Sequence, residues 1–110
     1  MQSNTGKLFR IEIATKQVVE IDLGGASVAG DGLWLEGKKL YAVARPDLLK
    51  IRLSRDFTRG QVVSRSSDYS FAFPTTIAIA RGRMLVVNSQ FDKRGGTPVL
   101  PFTVSSIKVP

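Results

Sequence analysis

The sequence predicts an all-β protein of antiparallel four-stranded blades, about two and a fraction blades of a β-propeller, arranged as an incomplete ring. Three observations lead there. Asp31-Gly32-Leu33-Trp34-Leu35, followed by Lys39-Leu40-Tyr41-Ala42-Val43, is echoed about 44 residues later by Thr75-Thr76-Ile77-Ala78-Ile79 and Arg83-Met84-Leu85-Val86-Val87, within the roughly 40 to 50 residues that one blade needs. Leu8-Phe9-Arg10-Ile11-Glu12-Ile13 and Leu48-Leu49-Lys50-Ile51-Arg52-Leu53 share one apolar and charged pattern at an offset of about 40. Turn residues punctuate the chain at Gly24-Gly25, Glu36-Gly37-Lys38, Arg45-Pro46-Asp47, Arg81-Gly82-Arg83 and Gly95-Gly96, whereas helix signals are missing.

The strands fall into two kinds. Residues 8–13 place Phe9, Ile11 and Ile13 on one alternation and Arg10 and Glu12 on the other, and residues 48–53 set Leu49, Ile51 and Leu53 against Lys50 and Arg52; each is expected to keep one wet face. Leu33-Trp34-Leu35 and residues 40–44, 77–80 and 84–87 are apolar on both alternations, as inner strands sandwiched between neighbouring sheets should be. On this basis residues 1–24 form the outer half of a blade, with strands at 7–13 and 17–23. Residues 31–65 form a complete blade with strands at 31–36, 39–44, 48–53 and 61–65, and residues 74–110 an incomplete last blade with strands at 75–80, 84–88 and 102–108. Trp34 and Tyr41 are assigned to the core, and residues 92–98 to a long loop. A small two-layer β-sandwich also uses short alternating strands, but it requires no echo at a fixed offset.

Closed propellers carry about four to eight blades, so the ends of this chain are expected to lack neighbours. Leaving about 400 Å² of apolar surface wet at each end forfeits roughly 10 kcal/mol at about 25 cal/mol per Å², comparable to the stability of a whole domain. The expected partners are therefore the remaining blades of a longer chain, or further copies of this one in self-association, for instance three chains in a ring.

The net charge of +7, from 16 Lys and Arg against 9 Asp and Glu, invites a nucleic-acid partner. The basic residues are nevertheless scattered: Arg45, Lys50, Arg52, Arg55, Arg59 and Arg65 are interrupted by Asp47 and Asp56, as on solvated outer edges that discourage strand-to-strand aggregation. No aromatic set is spaced to stack bases, and no nucleic-acid partner is expected. Cysteine and histidine are both absent, which removes Ser-His-Asp and Cys-His catalysis and the usual zinc ligand sets. The polar start, Met1-Gln2-Ser3-Asn4-Thr5-Gly6, lacks the features of a leader peptide, and no uncharged apolar run approaches about 18 residues, so a soluble, cytoplasmic protein without a membrane partner is expected. Gly24-Gly25 with Gly30 and Gly32 imitates a phosphate loop, but strand rather than helix follows.

The order Ser3-Asn4-Thr5-Gly6-Lys7-Leu8, Gly30-Asp31-Gly32-Leu33, Phe73-Pro74-Thr75-Thr76 and Val87-Asn88 resembles the C-terminal part of the six-bladed propellers of the senescence-marker-protein, gluconolactonase and regucalcin-like family. The resemblance implies a C-terminal fragment of a propeller whose complete form is a divalent-metal-dependent hydrolase of lactones or related esters, with Ca²⁺ or Mg²⁺ held in the central channel by a glutamate, asparagines and an aspartate. It places one of those metal ligands here, Asp31, at the start of an innermost strand; the local alternative is that Asp31-Gly32 only shapes a turn. Thr75 takes the equivalent position in the next repeat, as a substrate-facing hydroxyl at the channel mouth or as a turn cap beside Pro74. Asn88 is expected about one strand length from that mouth, in a structural role. Asp68-Tyr69 is expected at the Asp31 end, as surface loop or as substrate contact. One carboxylate makes an incomplete site, since calcium takes about six to eight oxygens, so the isolated chain is expected to be inactive. The alternative function is a non-catalytic β-propeller module that binds other proteins.

Overall fold

A computed structural model describes every residue, Met1–Pro110. Nine strands follow in order: β1 (Leu8–Ile11), β2 (Val18–Ile21), β3 (Leu33–Glu36), β4 (Lys39–Ala44), β5 (Asp47–Leu53), β6 (Gly60–Ser66), β7 (Pro74–Ala80), β8 (Arg83–Asn88) and β9 (Val104–Lys108), with one 3₁₀ turn at Phe91–Lys93. They form three separate antiparallel sheets: sheet I, β1-β2; sheet II, β3-β4-β5-β6; and sheet III, β7-β8-β9. Hairpins drive this order. Arg81-Gly82, both at positive φ (50° and 73°), make the two-residue turn whose twist matches the flanking strands β7 and β8.

Sheet II is the filling between two apolar layers. Because side chains alternate along a strand, β4 sends Leu40, Ala42 and Ala44 to one face and Tyr41 and Val43 to the other. The first set joins Leu49, Ile51 and Leu53 of β5 and meets Leu8, Ile21, Leu23 and Val28 from the sheet I side. The second joins Leu48 and meets Ile77, Met84 and Val86 of sheet III. Close backbone approach between sheets II and III is concentrated where β7 meets β3 and β4. Gly32 permits it, since a Cβ there would lie 2.6 Å from the Thr76 Cα, while Gly30 lets the chain entering β3 pass close to β4 within sheet II, where a Cβ would lie 2.1 Å from the Val43 carbonyl oxygen.

Several sequence expectations are corrected by the packing. In sheet I it is Leu8 and Ile21 that turn inward, so Ile11 and Ile13, expected on the covered face, are 61% and 91% exposed. The alternation was right and its direction wrong, because the inward position is set by what sheet II offers to Leu8. Leu33 and Leu35 of β3, expected to be sandwiched, are 38% and 55% exposed, since sheet I has only two strands and leaves that side of β3 bare. Val87 is exposed in the same way on the outer face of sheet III, which nothing covers. Strand bounds shrink where regular pairing ends: β1 and β2 stop at Ile11 and Ile21, β3 starts at Leu33, and β9 starts at Val104 rather than at Phe102.

Gly32→Ala is expected to destabilise the protein by about 1–3 kcal/mol, since the added methyl overpacks the backbone seam between β3 and β7; denaturant unfolding of the variant beside Gly96→Ala, at a loop glycine without positive φ whose added Cβ would come no nearer than 3.4 Å to a neighbour, measures the difference. A second outcome concerns acid. In the β5–β6 turn Asp56 accepts from the Ser54 hydroxyl at 2.6 Å and the Thr58 N–H at 3.2 Å, and these bonds hold its carboxyl well below its ordinary value of 3.8. A depressed folded pKa contributes stability that is full above the unfolded value and drains away as pH falls through the folded one. The urea midpoint of the wild-type chain should therefore fall more between about pH 6 and about pH 2.5 than that of Asp56→Asn.

Candidate functional site

The start of β3, the β4–β5 turn, the segment before β7 and the end of β8 gather at one end of sheets II and III. Antiparallel pairing requires this, because each hairpin returns the end of its second strand to the start of its first. The Asp31 N–H donates to the Val43 carbonyl at 2.9 Å, and the Gly32 N–H donates to the Thr75 carbonyl at 2.7 Å. Asp31 and Thr75, singled out separately in the sequence, are thus brought to neighbouring positions. Thr75 is the extra residue of a β-bulge between Pro74 and Thr76, it is buried, and the contact it makes to the start of β3 is through its backbone.

Asp31 is half exposed and faces a cation. Its Oδ2 lies 3.6 Å from an Arg45 guanidinium nitrogen, and the same guanidinium sits 4.7 Å above the Phe73 ring. At this exposure the ion pair contributes under about 1 kcal/mol, and its effect is to fix the direction of Arg45 more than to stabilise the fold. Arg45, Phe71, Phe73, Pro46, Pro74, Ser67 and Asp68 line a cleft of about 370 Å³. Asp68 accepts from the Ser70 hydroxyl at 2.6 Å and the Ser70 N–H at 2.9 Å, which lower its pKa and keep it ionised at neutral pH. Asp68 therefore reaches the Asp31 end through the cleft it shares with Arg45, while Tyr69 beside it is fully exposed.

The expected position of Asn88 is corrected. It pairs with Pro74 and so lies at the Asp31 and Thr75 end, not a strand length away. Its role is structural all the same: it is 1% exposed, its Oδ1 accepts from the Ala72 N–H at 3.0 Å, and its Nδ2 lies within 3.1 Å of the Ser70 carbonyl and the Thr103 and Ser105 hydroxyls. Both amide protons are engaged, and the one Oδ1 lone pair that remains is sealed from solvent by the burial of the side chain. Next to it the chain is held in an uncommon conformation. Phe73 (φ 55°) and Gln90 (φ 50°) are both left-handed, and the Phe73 carbonyl is clamped by the Ser89 N–H at 3.1 Å and the Ser89 hydroxyl at 2.9 Å. Gln90 in turn exchanges two 2.8 Å bonds with Val99, tying down the loop that follows β8.

These residues do not make up a Ca²⁺ or Mg²⁺ site. Calcium requires about six to eight oxygens, no group of three or more His, Cys, Asp or Glu side chains comes together anywhere in the chain, and the carboxylates at this end have partners of their own, Asp31 beside Arg45, Asp47 beside Arg65 and Asp68 accepting from Ser70. Arg45 and Phe73 were not marked as site residues in the sequence, where Arg45 stood in a turn signal and among the scattered basic residues, and Phe73 in one of the motifs that carry the family resemblance. The single cue available was that each precedes a proline, which places it at a strand terminus.

Asn88→Ala should destabilise the chain by about 1–3 kcal/mol for each buried group it leaves unpaired, and Asn88→Asp should fail to rescue it, because a carboxylate cannot donate to the Ser70 carbonyl; thermal unfolding of the two variants checks this. No family model matches the chain, and no curated protein or solved structure matches it.

Proposed function

We propose that the chain is a segment of a β-propeller, with sheet I as the outer half of one blade, sheet II as a complete blade and sheet III as three strands of the next. The observation that carries this reading is the pattern of approach between sheets. Backbones come close where β7 meets the inner strands β3 and β4; sheet I, which would hold only outer strands, seats Leu8, Ile21 and Leu23 on sheet II and reaches its backbone just past β2, where Asp22 bridges to Arg59 beside the start of the outermost strand β6. Sheets that converge at their inner strands and spread outward are what a radial arrangement requires, and a face-to-face sandwich does not.

On this reading the end that carries Asp31, Arg45 and Thr75 is the channel mouth. The family resemblance extends the proposal to hydrolysis of lactones or related esters by the completed ring, to which this chain contributes channel wall and one carboxylate. The pairing of Asp31 with Arg45 favours the second reading, a non-catalytic propeller whose rim binds other proteins, because it gives the carboxylate a structural partner.

Titration of the ¹⁵N-labelled chain with Mn²⁺ separates the two. If Asp31 is a cation anchor, the Gly32 and Thr76 amide signals should broaden first, at metal concentrations of about 1 mM or above, and Asp31→Asn should abolish the effect. Broadening that ignores Asp31→Asn leaves the non-catalytic reading, and lactone hydrolysis by the isolated chain that survives Asp31→Asn overturns the assignment of this residue.

A further inference from the structure

Four ion pairs are present, and three of them are hydrogen-bonded: Lys7 to Glu20 at 2.9 Å, Arg10 to Glu12 at 3.0 Å and Arg65 to Asp47 at 2.9 Å. The fourth is not. Arg45 stops 3.6 Å from the Asp31 carboxylate, beyond hydrogen-bond length, and its guanidinium donates to no other atom of the protein. Nor is the Asp31 carboxylate spent on its own turn, unlike those of Asp22, Asp56 and Asp68, which accept backbone N–H groups two residues on. The Arg45 side chain is held all the same, 37% exposed, with its guanidinium 4.7 Å above Phe73. A planar fork of five N–H donors is thus positioned by a ring and a carboxylate and left without an acceptor.

The cleft that Arg45 lines is formed before any ligand arrives. Pro46 and Pro74 have restricted backbones, and Phe73 is locked in its left-handed conformation by the two bonds its carbonyl accepts from Ser89. Phe91 packs on the Phe73 ring from the turn after β8, with centroids 6.2 Å apart. The walls come wholly from residues 45–46 and 67–74, the β4–β5 turn and the segment that leads from β6 into β7, so sheets II and III make the cleft between them.

We propose that this cleft binds a small organic carboxylate with an apolar body, the carboxylate taken by the free N–H groups of Arg45 and the body laid among Phe71, Phe73, Pro46 and Pro74. Each part of the ligand answers an observation. A guanidinium with no acceptor of its own calls for a planar oxyanion that can take two parallel N–H bonds. Four ring side chains around about 370 Å³ call for an apolar body of small-molecule size. Asp68, ionised on the same cleft, limits the ligand to a single negative charge, which selects a carboxylate over a phosphate dianion. A cationic ligand is disfavoured because Arg45 already stands over Phe73, the ring such a ligand would use. Asp31 serves here only to aim Arg45, and no metal takes part, so the site stands or falls separately from the hydrolytic assignment.

The test titrates the ¹⁵N-labelled full chain, at constant ionic strength, with benzoate, benzylamine and phenyl phosphate, which share one ring and differ in charge. Benzoate should shift the Arg45 Nε–H and Phe73 amide signals saturably, with a Kd of about 10 mM or below, whether or not EDTA is present. Benzylamine and phenyl phosphate should bind at least about tenfold more weakly, and Asp68→Asn should narrow the gap between phenyl phosphate and benzoate. Arg45→Gln should weaken benzoate binding at least about tenfold, and Arg45→Lys should not restore it, since an ammonium lacks the fork. No saturable shift of the wild-type chain at about 50 mM benzoate, benzylamine binding as tightly as benzoate, or equal benzoate binding by Arg45→Gln overturns the proposal. So does binding of N-acetyl-Gly-Gly-Phe at least about tenfold tighter than benzoate, since that makes the end of a polypeptide the source of the carboxylate.

Discussion

The structure depends on one constraint: β4 is apolar on both alternations, β5 adds Leu49, Ile51 and Leu53 to one of its faces and Leu48 to the other, and the pair must be covered from both sides. Tyr41, Val43 and Leu48 are buried against sheet III, and Leu40, Ala42, Leu49 and Ile51 against sheet I. A sheet with two dry faces is stable only with a neighbour on each, so the chain before β3 and the chain after β6 have to fold back over it. Every other feature follows from how well the two neighbours manage this. Sheet III brings strands over the inner part of sheet II and seals it. Sheet I brings β1 and β2 over the outer part and leaves β3 uncovered.

That asymmetry explains where the remaining apolar surface lies. Ile11, Ile13, Val18, Leu33 and Leu35 are exposed at the sheet I end, and Val87, Phe91, Val99, Leu100, Phe102 and Val104 at the sheet III end, while among the large hydrophobic residues only Val63 and Tyr69 are exposed elsewhere. Apolar side chains gathered at two opposite ends thus mark where sheet II's neighbours leave off, at the bare side of β3 and on the uncovered face of sheet III. Edge strands elsewhere are blunted. Gln61 and Arg65 alternate on β6, and Ser106 and Lys108 on β9, whereas the edge strands β1 and β3 carry Phe9 with Ile11 and Leu33 with Leu35.

At the Asp31 end the chemistry is spare. Gly30 and Gly32 let β3 approach β4 and β7 so closely that Asp31 and Thr75 become neighbours, and the left-handed Phe73 and Gln90 hold the adjoining turns in place. Asn88 is the polar centre of this region, and it is spent on closing the backbone groups of residues 70 and 72. What remains around the shallow cleft is Arg45, Asp68, Phe71 and Phe73, with Asp31 beside Arg45.

Much of this was legible in the sequence because it is local. Repeated echoes at a fixed offset gave strand order and hairpin pairing, the two-sided apolar pattern of residues 40–44 and the one-sided pattern of residues 48–53 gave the buried strands, and the absence of cysteine and histidine removed whole classes of chemistry. What only the tertiary structure decided is whatever depends on a neighbour distant in the chain. The face that β1 turns inward, the exposure of Leu33 and Leu35, the return of Asn88 to the Asp31 end and the pairing of Asp31 with Arg45 over Phe73 all depend on which sheet lies alongside. The physical reason is that period-two alternation tells a strand it has two faces, while the surface each face meets is fixed only when the sheets pack.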